Sequence, residues 1–572
     1  MSRSRLAARV CASLLLGAFV VGTAGTASAA SADPVAAAIT GALRAHDISP
    51  VQARDLRRTW VRSARDARRA PTATRRATIV AARAYATRIA RRGQLAPDRL
   101  ETVLLGIDAT ARTMTGARAF PAHESELSLS GEPVVFTYYA GRGVQFQPFE
   151  SFKLGMQYLN AAAPDVDRAR ALAERMLELS QMRGTARVWE YCFPFNGPDR
   201  PWTSAISQAL ATEFYFRLAA LAPAEDRTRY EQAAAQTANS FLRSTRTNGV
   251  GTPEGAGRYY VMYSFDPTQR ILNGHLQSLI NLNRYAKATG SPVARRAVEL
   301  GIASVLPLLP RFDTGAWSNY LPHQEAELGY HEFQTSQLVK LGAELDDPVA
   351  ADEFAQYGAR FSLYLITPPT LQFTSALREA IVPARDGYRD SIRVGYRVDK
   401  HAKVTMVVRD ADGIEVARVS DTSDRTNAGA VIWTARNDRG STVPDGSYTA
   451  RLTVTDVAGN RSFLDVPGTL DVARDTIAPT LASVAVAASG ARASIVSIRA
   501  NDAGSAWIDA ELRIAGVVVA RTRAPRAGNF RLRVPRPAAT TRRAALVLRD
   551  SSGNELVQPL ARPLPAAPDR LR

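Results

Sequence analysis

The spacing of hydrophobic and polar residues changes along this chain of 572 residues. Residues 31 to about 122 are rich in Ala and Arg, contain few Gly or Pro, and show partial helical periodicity. Between 132 and about 369, apolar residues recur at helical spacing in segments separated by loops rich in Gly, Pro and aromatic residues. The predicted helices are 149–159, 168–182, 202–221, 228–242, 272–289, 292–309 and 331–345. Helices joined in pairs by such loops indicate an (α/α) toroid, whose loops at one end shape a cleft.

From about residue 377 the pattern switches to alternation of apolar and polar residues, which is typical of half-buried strands. Clusters of Gly, Asn, Asp and Pro separate the alternating stretches, among them 391–398, 404–408 and 448–454. A second alternating block runs from 483 to about 560, and its segment 550–554 repeats the style of 456–460. Short strands at regular spacing predict two Ig-like β-sandwiches, at residues 377–472 and 476–566.

The composition is that of a folded protein with several domains. Hydrophobic residues make up 46% and charged residues 22% of the chain, which excludes a mostly disordered protein. Two cysteines are too few for a disulfide scaffold. No apolar run reaches the roughly 18 residues that a membrane-spanning helix needs, so a polytopic membrane protein is excluded as well. The length is ample for several large hydrophobic cores.

The first residues resemble a secretory signal peptide. Three of the first nine residues are arginine, residues 10–21 carry no charge, and residues 27–29 spell an Ala-x-Ala cleavage site. We predict a signal peptide at residues 1–29, and the alternative is an uncleaved membrane anchor. Removal of the signal peptide would leave a secreted or cell-surface protein with no membrane span.

A net charge of +18 favours an acidic partner. The basic residues are almost all arginine, and a guanidinium can hold a carboxylate or sulfate through two parallel hydrogen bonds. For an exported protein, an acidic polysaccharide is a better match than nucleic acid. Two alternatives stay open: the arginine content reflects coding bias, or the arginines of residues 30–125 form a solvated helical face.

Standard motifs for nucleotide and metal chemistry are absent from the sequence. There is no P-loop, no complete dinucleotide-binding glycine pattern and no His-Glu-x-x-His motif. The six histidines are scattered, and no pair of them has the spacing of metal ligands. Cys192 lies between two aromatic residues and is predicted to be buried rather than nucleophilic. The sequence therefore predicts neither a metal site nor a cofactor.

Three tyrosines lie in polar connections rather than on apolar helix faces. Tyr263 precedes the helix predicted to begin at residue 272, Tyr320 follows the polar segment 313–319, and Tyr330 stands directly before the helix predicted at residue 331. Core tyrosines normally fall on the apolar face within a helix. Spacing alone leaves two interpretations open: the three tyrosines take part in chemistry, or they merely line the helix ends.

Residues 189 to about 364 resemble the catalytic C-terminal domain of the D-glucuronyl C5-epimerase family. The resemblance rests on several segments that occur in the family's order, and no single segment is decisive. The segments are 138–148, 189–191, 202–210, 263–275, 309–315 and 329–338. Further along, Trp433 and the segments 437–440 and 443–448 resemble bacterial Ig-like domains of the flagellar hook-cap type, which usually serve as spacers or adhesion modules.

The epimerase resemblance implies an (α/α) toroid that inverts C5 of D-glucuronate within heparosan-type polymers, giving L-iduronate. It also implies that the three tyrosines match the family's functional tyrosines. The residues expected to bind substrate are Trp202, Asn273, Arg311, His323 and His331. The fold class is then a multidomain protein with an N-terminal helical region (30–125), an (α/α) toroid (130–372) and two C-terminal Ig-like β-sandwiches. A homodimer is one alternative for the oligomeric state.

Inversion at C5 explains why tyrosines would be needed. The C5 hydrogen is alpha to a carboxylate, so its removal builds an enolate dianion, and two acid–base groups on opposite faces can exchange the proton without a cofactor. A phenolate held by nearby arginine charge would be the base, and a phenol would protonate the enolate. Tyr263 and Tyr330 would take these roles in an order that the sequence leaves open. Tyr320 would bond the carboxylate or relay a proton.

Two positions depart from the family pattern. Met262 replaces the Glu that commonly precedes the first tyrosine, and His323 replaces an Arg three positions after the second. The other arginines that could neutralise a substrate carboxylate are Arg258, Arg270 and Arg311. Three functions therefore stay open: a secreted uronate C5-epimerase, a polysaccharide lyase that shares the proton abstraction but expels the C4 oxygen, and a non-catalytic glycan-binding protein with an epimerase-like fold.

Overall fold

The computed structural model describes residues 33–375, 377, 380–421, 425–490, 493–535 and 543–566, so the predicted signal peptide lies outside the described residues. The chain divides into two compact units, Met1–Leu363 and Tyr364–Arg572. The described part of unit 1 is mainly helical, and that of unit 2 is built of strands. Among the described residues, no helix is long and apolar enough to cross a membrane.

Unit 1 begins with helices α1–α4, and local signals explain two of their starts. These helices are α1 Pro34–Arg44, α2 Pro50–Arg69, α3 Ala73–Arg91 and α4 Leu100–Thr115. Asp33 caps α1 by accepting a hydrogen bond from the N–H of Val35 at 3.0 Å. Ser49 and Gln52 form a reciprocal capping box at the start of α2. The helices share one hydrophobic core, which also contains Cys192, so the prediction that this thiol is buried is confirmed.

Eight further helices complete the described part of unit 1. They are α5 Pro148–Asn160, α6 Val166–Glu178, α7 Ala205–Leu221, α8 Ala224–Leu242, α9 Leu272–Thr289, α10 Pro292–Val305, α11 Leu328–Glu344 and α12 Pro348–Tyr364, the last of which ends one residue past the unit boundary. Helices α5, α7, α9 and α11 contact one another in chain order, while α6, α8 and α10 pack against α5, α7 and α9. This arrangement places a row of odd-numbered helices inside a partial outer layer.

The sequence prediction located most of these helices but was wrong at two places. Helix α12 was not predicted, because its buried face includes small residues and its exposed residues include Val349 and Leu363, which weakens the apolar periodicity. Helix α6 ends at Glu178 rather than near residue 182. Met182 belongs instead to a hairpin whose turn contains Gly184 in the left-handed conformation, with φ +63°.

Short β-elements precede the odd-numbered helices of this array. The strands are β1 Glu126–Leu127, β2 Phe136–Tyr139, β3 Gly143–Phe146, β4 Gln181–Arg183, β5 Ala186–Val188, β6 Gly251–Glu254, β7 Gly257–Tyr260, β8 Asn319–Leu321 and β9 Gln324–Glu325. Hairpins β2–β3, β4–β5, β6–β7 and β8–β9 come before α5, α7, α9 and α11 respectively. The connections therefore gather at the N-terminal ends of these helices, which is where the candidate tyrosines lie.

Helices α5 and α7 approach closely at Gly155, which gives a test of the packing. A Cβ atom at Gly155 would lie 2.5 Å from the ring of the fully buried Phe214. We expect Gly155→Ala to lower the free energy of unfolding by about 1–3 kcal/mol, because the ring has no free space to move into. Gly41→Ala in α1 is the matched control. No atom lies within 4 Å of a Cβ there, so alanine should raise stability by up to about 1 kcal/mol.

Urea titration at neutral pH measures both effects. Equal stability of the Gly155→Ala protein and the wild type would contradict the tight contact between α5 and α7.

Unit 2 contains two β modules. The first module comprises β10 Leu371–Phe373, β11 Ile392–Arg409, β12 Glu415–Ser420, β13 Arg425–Trp433, β14 Gly446–Asp456, β15 Arg461–Asp465 and β16 Leu470–Val472. The long strand β11 pairs with β10 and β13 over its first half and with β12 and β14 over its second half. A register shift between Val398 and Ala402 separates the halves. The stretches 391–398 and 404–408, predicted as separate strands, thus belong to one strand.

The second module repeats this pairing with the long strand divided into two. It comprises β17 Thr480–Ser489, β18 Ala493–Asn501, β19 Trp507–Ile514, β20 Val517–Pro525, β21 Ala527–Pro535, β22 Ala544–Asp550 and β23 Glu555–Pro559. One sheet has the order β17-β18-β21 and the other the order β20-β19-β22-β23. Strands β18 and β19 therefore correspond to the two halves of β11. Each module buries its own cluster of hydrophobic side chains.

Candidate active site

The structure brings the three tyrosines into one pocket. Tyr263 follows β7, Tyr320 lies in β8, and Tyr330 lies in the first turn of α11. The ring centroids of Tyr320 and Tyr330 are 4.7 Å apart, and Tyr263 packs against the same hydrophobic cluster. Among the described residues, none donates or accepts a hydrogen bond at these three hydroxyl groups. The hydroxyls are thus available to a ligand.

The tyrosine pocket has a volume of about 400 Å³. Its lining combines aromatic rings with amide and carboxylate groups and comprises Phe195, Asn196, Tyr263, Phe265, Gln269, Ile271, Tyr320, Leu321, Gln324, Glu325, Glu327 and Tyr330. No lysine or arginine is among these described lining residues. Aromatic faces with a few polar groups around them are typical of small-ligand sites.

Burial keeps the three tyrosines protonated. It is the main reason why the pKa of Tyr263, of Tyr320 and of Tyr330 is raised above the ordinary value of about 10. Their mutual proximity raises the pKa of Tyr263 and of Tyr320 further, and the Glu124 carboxylate acts in the same direction on Tyr263 and Tyr330. The arginine charge expected to hold a phenolate is not part of the described lining. All three side chains are therefore neutral phenols at neutral pH.

Trp202 supports the pocket from behind. It is buried, stacks on Tyr191 with ring centroids 4.0 Å apart, and donates its indole N–H to the carbonyl of Phe193 at 2.9 Å. Its ring lies 5.6 Å from that of Tyr263 in a tilted arrangement. Trp202 was expected to bind substrate, but in the described structure it packs beneath Tyr263 and does not line the pocket.

Two other expected ligand-binding residues are buried beside the pocket. Asn273 lies in the first turn of α9, and its backbone carbonyl accepts a hydrogen bond from the Gln337 side chain at 3.0 Å. His331 stacks on Trp317 with ring centroids 3.8 Å apart, and its ring nitrogens bond the Ser318 hydroxyl at 2.7 Å and the carbonyl of Phe361 at 3.0 Å. The described lining of the pocket contains neither residue.

The remaining basic candidates point elsewhere. His323 is exposed at the turn between β8 and β9, where it adopts the left-handed conformation with φ +80°. Arg311 is exposed as well, and its backbone carbonyl accepts a hydrogen bond from the Asn319 side chain at 3.0 Å. Arg270 pairs with Glu254 at 2.6 Å. Arg258, in β7, is likewise outside the described lining. None of these groups meets the three tyrosines.

The structure adds residues that sequence reasoning missed. Glu325, in β9, and Glu327, at the N-cap of α11, place two carboxylates in the lining. The Arg142 guanidinium lies just behind the wall, where it donates to the Asn196 side chain at 3.3 Å and lies 5.8 Å from the Phe195 ring centroid. The Glu-x-Glu spacing shortly before Tyr330 was a signal in the sequence. The position of Arg142 depends on contacts between distant segments.

Part of the helical region that carries this pocket matches a known family. Residues 183–358 match the family described as D-glucuronyl C5-epimerase C-terminus, which confirms the resemblance noted in the sequence. The match includes all three pocket tyrosines and leaves α1–α4 and both β modules outside it. No curated protein matches this chain.

Solved structures resemble the chain only weakly. Dimeric latent PorU from Porphyromonas gingivalis is 14% identical over 36% of this chain and 20% of its own, with a TM-score of 0.13. The FN1–FN3 domains of chicken CNTN1 are 12% identical over 34% of this chain and 69% of theirs, with a TM-score of 0.19. The exo-chitosanase CsxA of Amycolatopsis orientalis is 12% identical over 36% of this chain and 28% of its own, with a TM-score of 0.12. Such low scores assign no function.

Proposed function

We propose that this protein is a secreted C5-epimerase that acts on uronate residues of an acidic polysaccharide. The observation that carries the proposal is the convergence of three phenols with free hydroxyls, together with two carboxylates, on one pocket. The family match at residues 183–358 supports the same class of reaction. In this proposal, helices α5–α12 form a partial (α/α) toroid within residues 130–372, and the β modules are Ig-like sandwiches that position the enzyme.

The reaction requires a base and an acid on opposite faces of C5. Because the pocket phenols are protonated, they are suited to donate a proton to the enolate rather than to remove one from the substrate. Glu325 and Glu327 are the carboxylates in the lining that can accept the C5 proton, directly or through a neighbouring phenol. The electron pair of the broken C–H bond moves into the enolate and returns to C5 when a phenol on the other face delivers its proton. No net proton is consumed.

Positive charge for the polymer would come from arginines next to the pocket and on α2 and α3. Arg142, behind Asn196, is placed to neutralise the uronate carboxylate once the amide turns aside. A separate cleft of about 660 Å³ between α2 and α3 is lined by Trp60 and by Arg68, Arg76, Arg83, Arg88 and Arg91. Guanidinium groups at this density favour an extended polyanion, so the N-terminal helices would bind the flanking part of the chain.

A non-catalytic glycan-binding protein is the second candidate. The specific observation in its favour is that the described pocket lining has no cationic side chain, whereas an enolate dianion needs one. Met262, at the position of the family's Glu, packs against Gly274 and cannot exchange a proton. Aromatic rings such as Phe195 and Tyr263, stacked with centroids 5.4 Å apart, suit the binding of a sugar ring without chemistry.

Solvent exchange distinguishes these functions. Residues 30–572 are incubated in D2O with heparosan and other uronate polymers, and the C5 proton is followed by NMR. Deuterium at C5 with both C5 configurations in the product supports an epimerase. An unsaturated, ultraviolet-absorbing product would instead identify a lyase. If a polymer binds and no deuterium enters C5, the epimerase proposal is wrong and the binding protein is favoured.

A further inference from the structure

Three aspartates of the second β module come together from three separate segments. Asp475 lies between β16 and β17, Asp502 directly follows β18, and Asp550 is the last residue of β22. One carboxylate oxygen of each lies within 4.8 Å of an oxygen of the other two. Asp502 and Asp550 are only 4% and 1% exposed. Three acidic groups therefore share a small and largely buried volume.

Hydrogen bonds satisfy only part of this aspartate cluster. Asp550 accepts from the backbone and side-chain N–H groups of Asn554 at 2.8 Å each, and Asp502 accepts from the N–H of Gly504 at 2.9 Å. The Oδ1 atom of Asp475 accepts from the N–H of Ile477 at 3.1 Å. The Oδ2 atom of Asp475 is buried and has no hydrogen-bond partner among the described residues. A buried carboxylate oxygen without a partner is unfavourable, and binding of a cation is one way to offset that cost.

Two arginines lie near the aspartate cluster. Arg389 and Arg474 line a cavity of about 280 Å³ next to Asp475 and Asp502. Arg474 pairs with Asp445, at 3.5 Å, rather than with the cluster.

The first β module contains an equivalent loop, residues 456–460, and there the Lys400 ammonium lies beside the loop aspartate. Asp456 accepts from the backbone and side-chain N–H groups of Asn460 at 2.8 and 3.0 Å, as the corresponding pair does in the second module. The buried ammonium of Lys400 lies 3.1 Å from Asp456 Oδ2. It also donates to the carbonyl oxygens of Thr367 at 2.6 Å and Tyr364 at 3.0 Å. A positive charge thus neutralises this loop aspartate.

The equivalence extends to the chain around the two loops. Each loop asparagine also donates a hydrogen bond to a backbone carbonyl in the segment that precedes the first strands of its module. In the first module, Asn460 donates to Leu365 at 2.8 Å. In the second module, Asn554 donates to Asp475 at 3.0 Å. Lys400 lies in the irregular stretch between the two halves of β11, and Asp502 lies between the corresponding strands β18 and β19. The stretch that supplies a cation in the first module therefore supplies another acid in the second.

We propose that Asp475, Asp502 and Asp550 bind a Ca²⁺ ion, which takes the place that the Lys400 ammonium has in the first module. Ca²⁺ prefers oxygen ligands at about 2.3–2.6 Å, so ligands on opposite sides of it are up to about 5 Å apart, which matches the observed separations. Mg²⁺ requires about 2.0–2.1 Å and fits less well. The adjacent cavity leaves room for water ligands. Gly504 keeps the site open, since a Cβ there would lie 2.5 Å from Asp475 Oδ2.

Calorimetry and thermal unfolding of the full chain, freed of metal by EDTA and dialysis, test this site. We expect one Ca²⁺ per chain, with a dissociation constant in the range of about 10⁻⁴–10⁻³ M that extracellular modules show. Mg²⁺ should bind at least about tenfold more weakly. Saturating Ca²⁺ should raise the midpoint of the transition that reports on unit 2 by roughly 2–8 °C.

Two variants and a control make the result specific. Asp502→Asn should bind Ca²⁺ at least about tenfold more weakly, because it loses one charged ligand. Asp502→Lys places an ammonium at the position that Lys400 occupies in the first module. The variant should therefore stay folded in EDTA, and Ca²⁺ should neither bind to it nor raise its thermal midpoint. Asp509→Asn, on exposed β19 surface beside Arg523, should respond like the wild type. Absence of binding by the wild type, or a Ca²⁺ response that survives both Asp502 substitutions, would overturn the proposal.

Discussion

Tyr330→Phe is expected to lower the rate of deuterium entry at C5 by a factor of about 10²–10⁴, the usual contribution of a positioned acid or base. The substitution removes only the hydroxyl, so the ring keeps its contact with Tyr320, whose centroid is 4.7 Å away. Tyr263→Phe should have an effect of similar size, because each phenol delivers a proton to C5 or relays the C5 proton to a carboxylate in the proposed reaction. The exchange rate in D2O at saturating polymer is the measurement.

Tyr158→Phe is the matched control for this prediction. Tyr158 lies in α5 and is not among the described residues that line the pocket, so its variant should exchange at the wild-type rate. The affinity for the polymer completes the test. Slow exchange with unchanged affinity would support proton transfer by the phenol. Weaker binding with an unchanged rate at saturation would mean that the tyrosines only hold the sugar, and the catalytic assignment would be wrong.

Glu190→Ala is expected to destabilise unit 1 by about 3–5 kcal/mol, because it leaves the largely buried Arg99 guanidinium without its counter-charge and removes one of the two acidic partners of Arg183. The Glu190 side chain has no exposed surface. It accepts hydrogen bonds from Arg99 at 2.5 Å, Arg183 at 2.9 Å and the Asn248 side chain at 2.8 Å. Arg99 follows the N-terminal helices α1–α3, so this network fastens them to hairpin β4–β5 and to the segments that contain Glu190 and Asn248. Urea unfolding at pH 7 measures the loss.

The pH dependence of stability should reveal the contribution of the Glu190 carboxylate. Burial alone would raise the pKa of Glu190, but the hydrogen bonds and charges of Arg99 and Arg183 outweigh burial and lower it. A lowered pKa in the folded state stabilises the protein above the unfolded value of about 4.3. That contribution is lost as the pH falls from there through the folded pKa. Wild-type stability should therefore fall more steeply than that of the Glu190→Ala protein between pH 5 and the acid limit.

Glu299→Gln is the control for this ion-pair prediction. Glu299 pairs with Arg296 at 3.1 Å on the exposed surface of α10, where such pairs contribute at most about 1 kcal/mol. A Glu190→Ala protein no less stable than this control would contradict the proposed role of the buried network.

Local patterns predicted the secondary structure well where the apolar face is continuous. The predicted helix 272–289 coincides with α9, whose buried residues recur through its whole length. The strands of unit 2 were visible because one face of each is buried, as in β14 with its alternating burial. Helix α12 was not predicted because it packs through Gly358. A Cβ atom at Gly358 would lie 3.0 Å from the backbone nitrogen of Val339. A contact through glycine leaves no apolar signal.

The candidate site could be predicted in part. The three tyrosines were identified from their position in polar connections and from the family resemblance, and the structure places all of them in one pocket. The proposed ligands Trp202 and His331 are found beneath or beside that pocket, where the indole stacks on Tyr191 and the imidazole stacks on Trp317 and forms hydrogen bonds through its ring nitrogens. Residue type and spacing do not distinguish an aromatic group that faces a cavity from one that supports its wall.

The sequence by itself determined the order of helices and strands, the epimerase resemblance and the tyrosines most worth testing, because periodicity, capping and short motifs are local properties. Only the tertiary structure decided which distant groups meet. It placed Glu325 beside Tyr263, and it showed that Asp502 stands where the first β module has Lys400. Such contacts depend on how whole elements pack against one another, and this packing is set by many weak interactions that no short stretch of sequence contains.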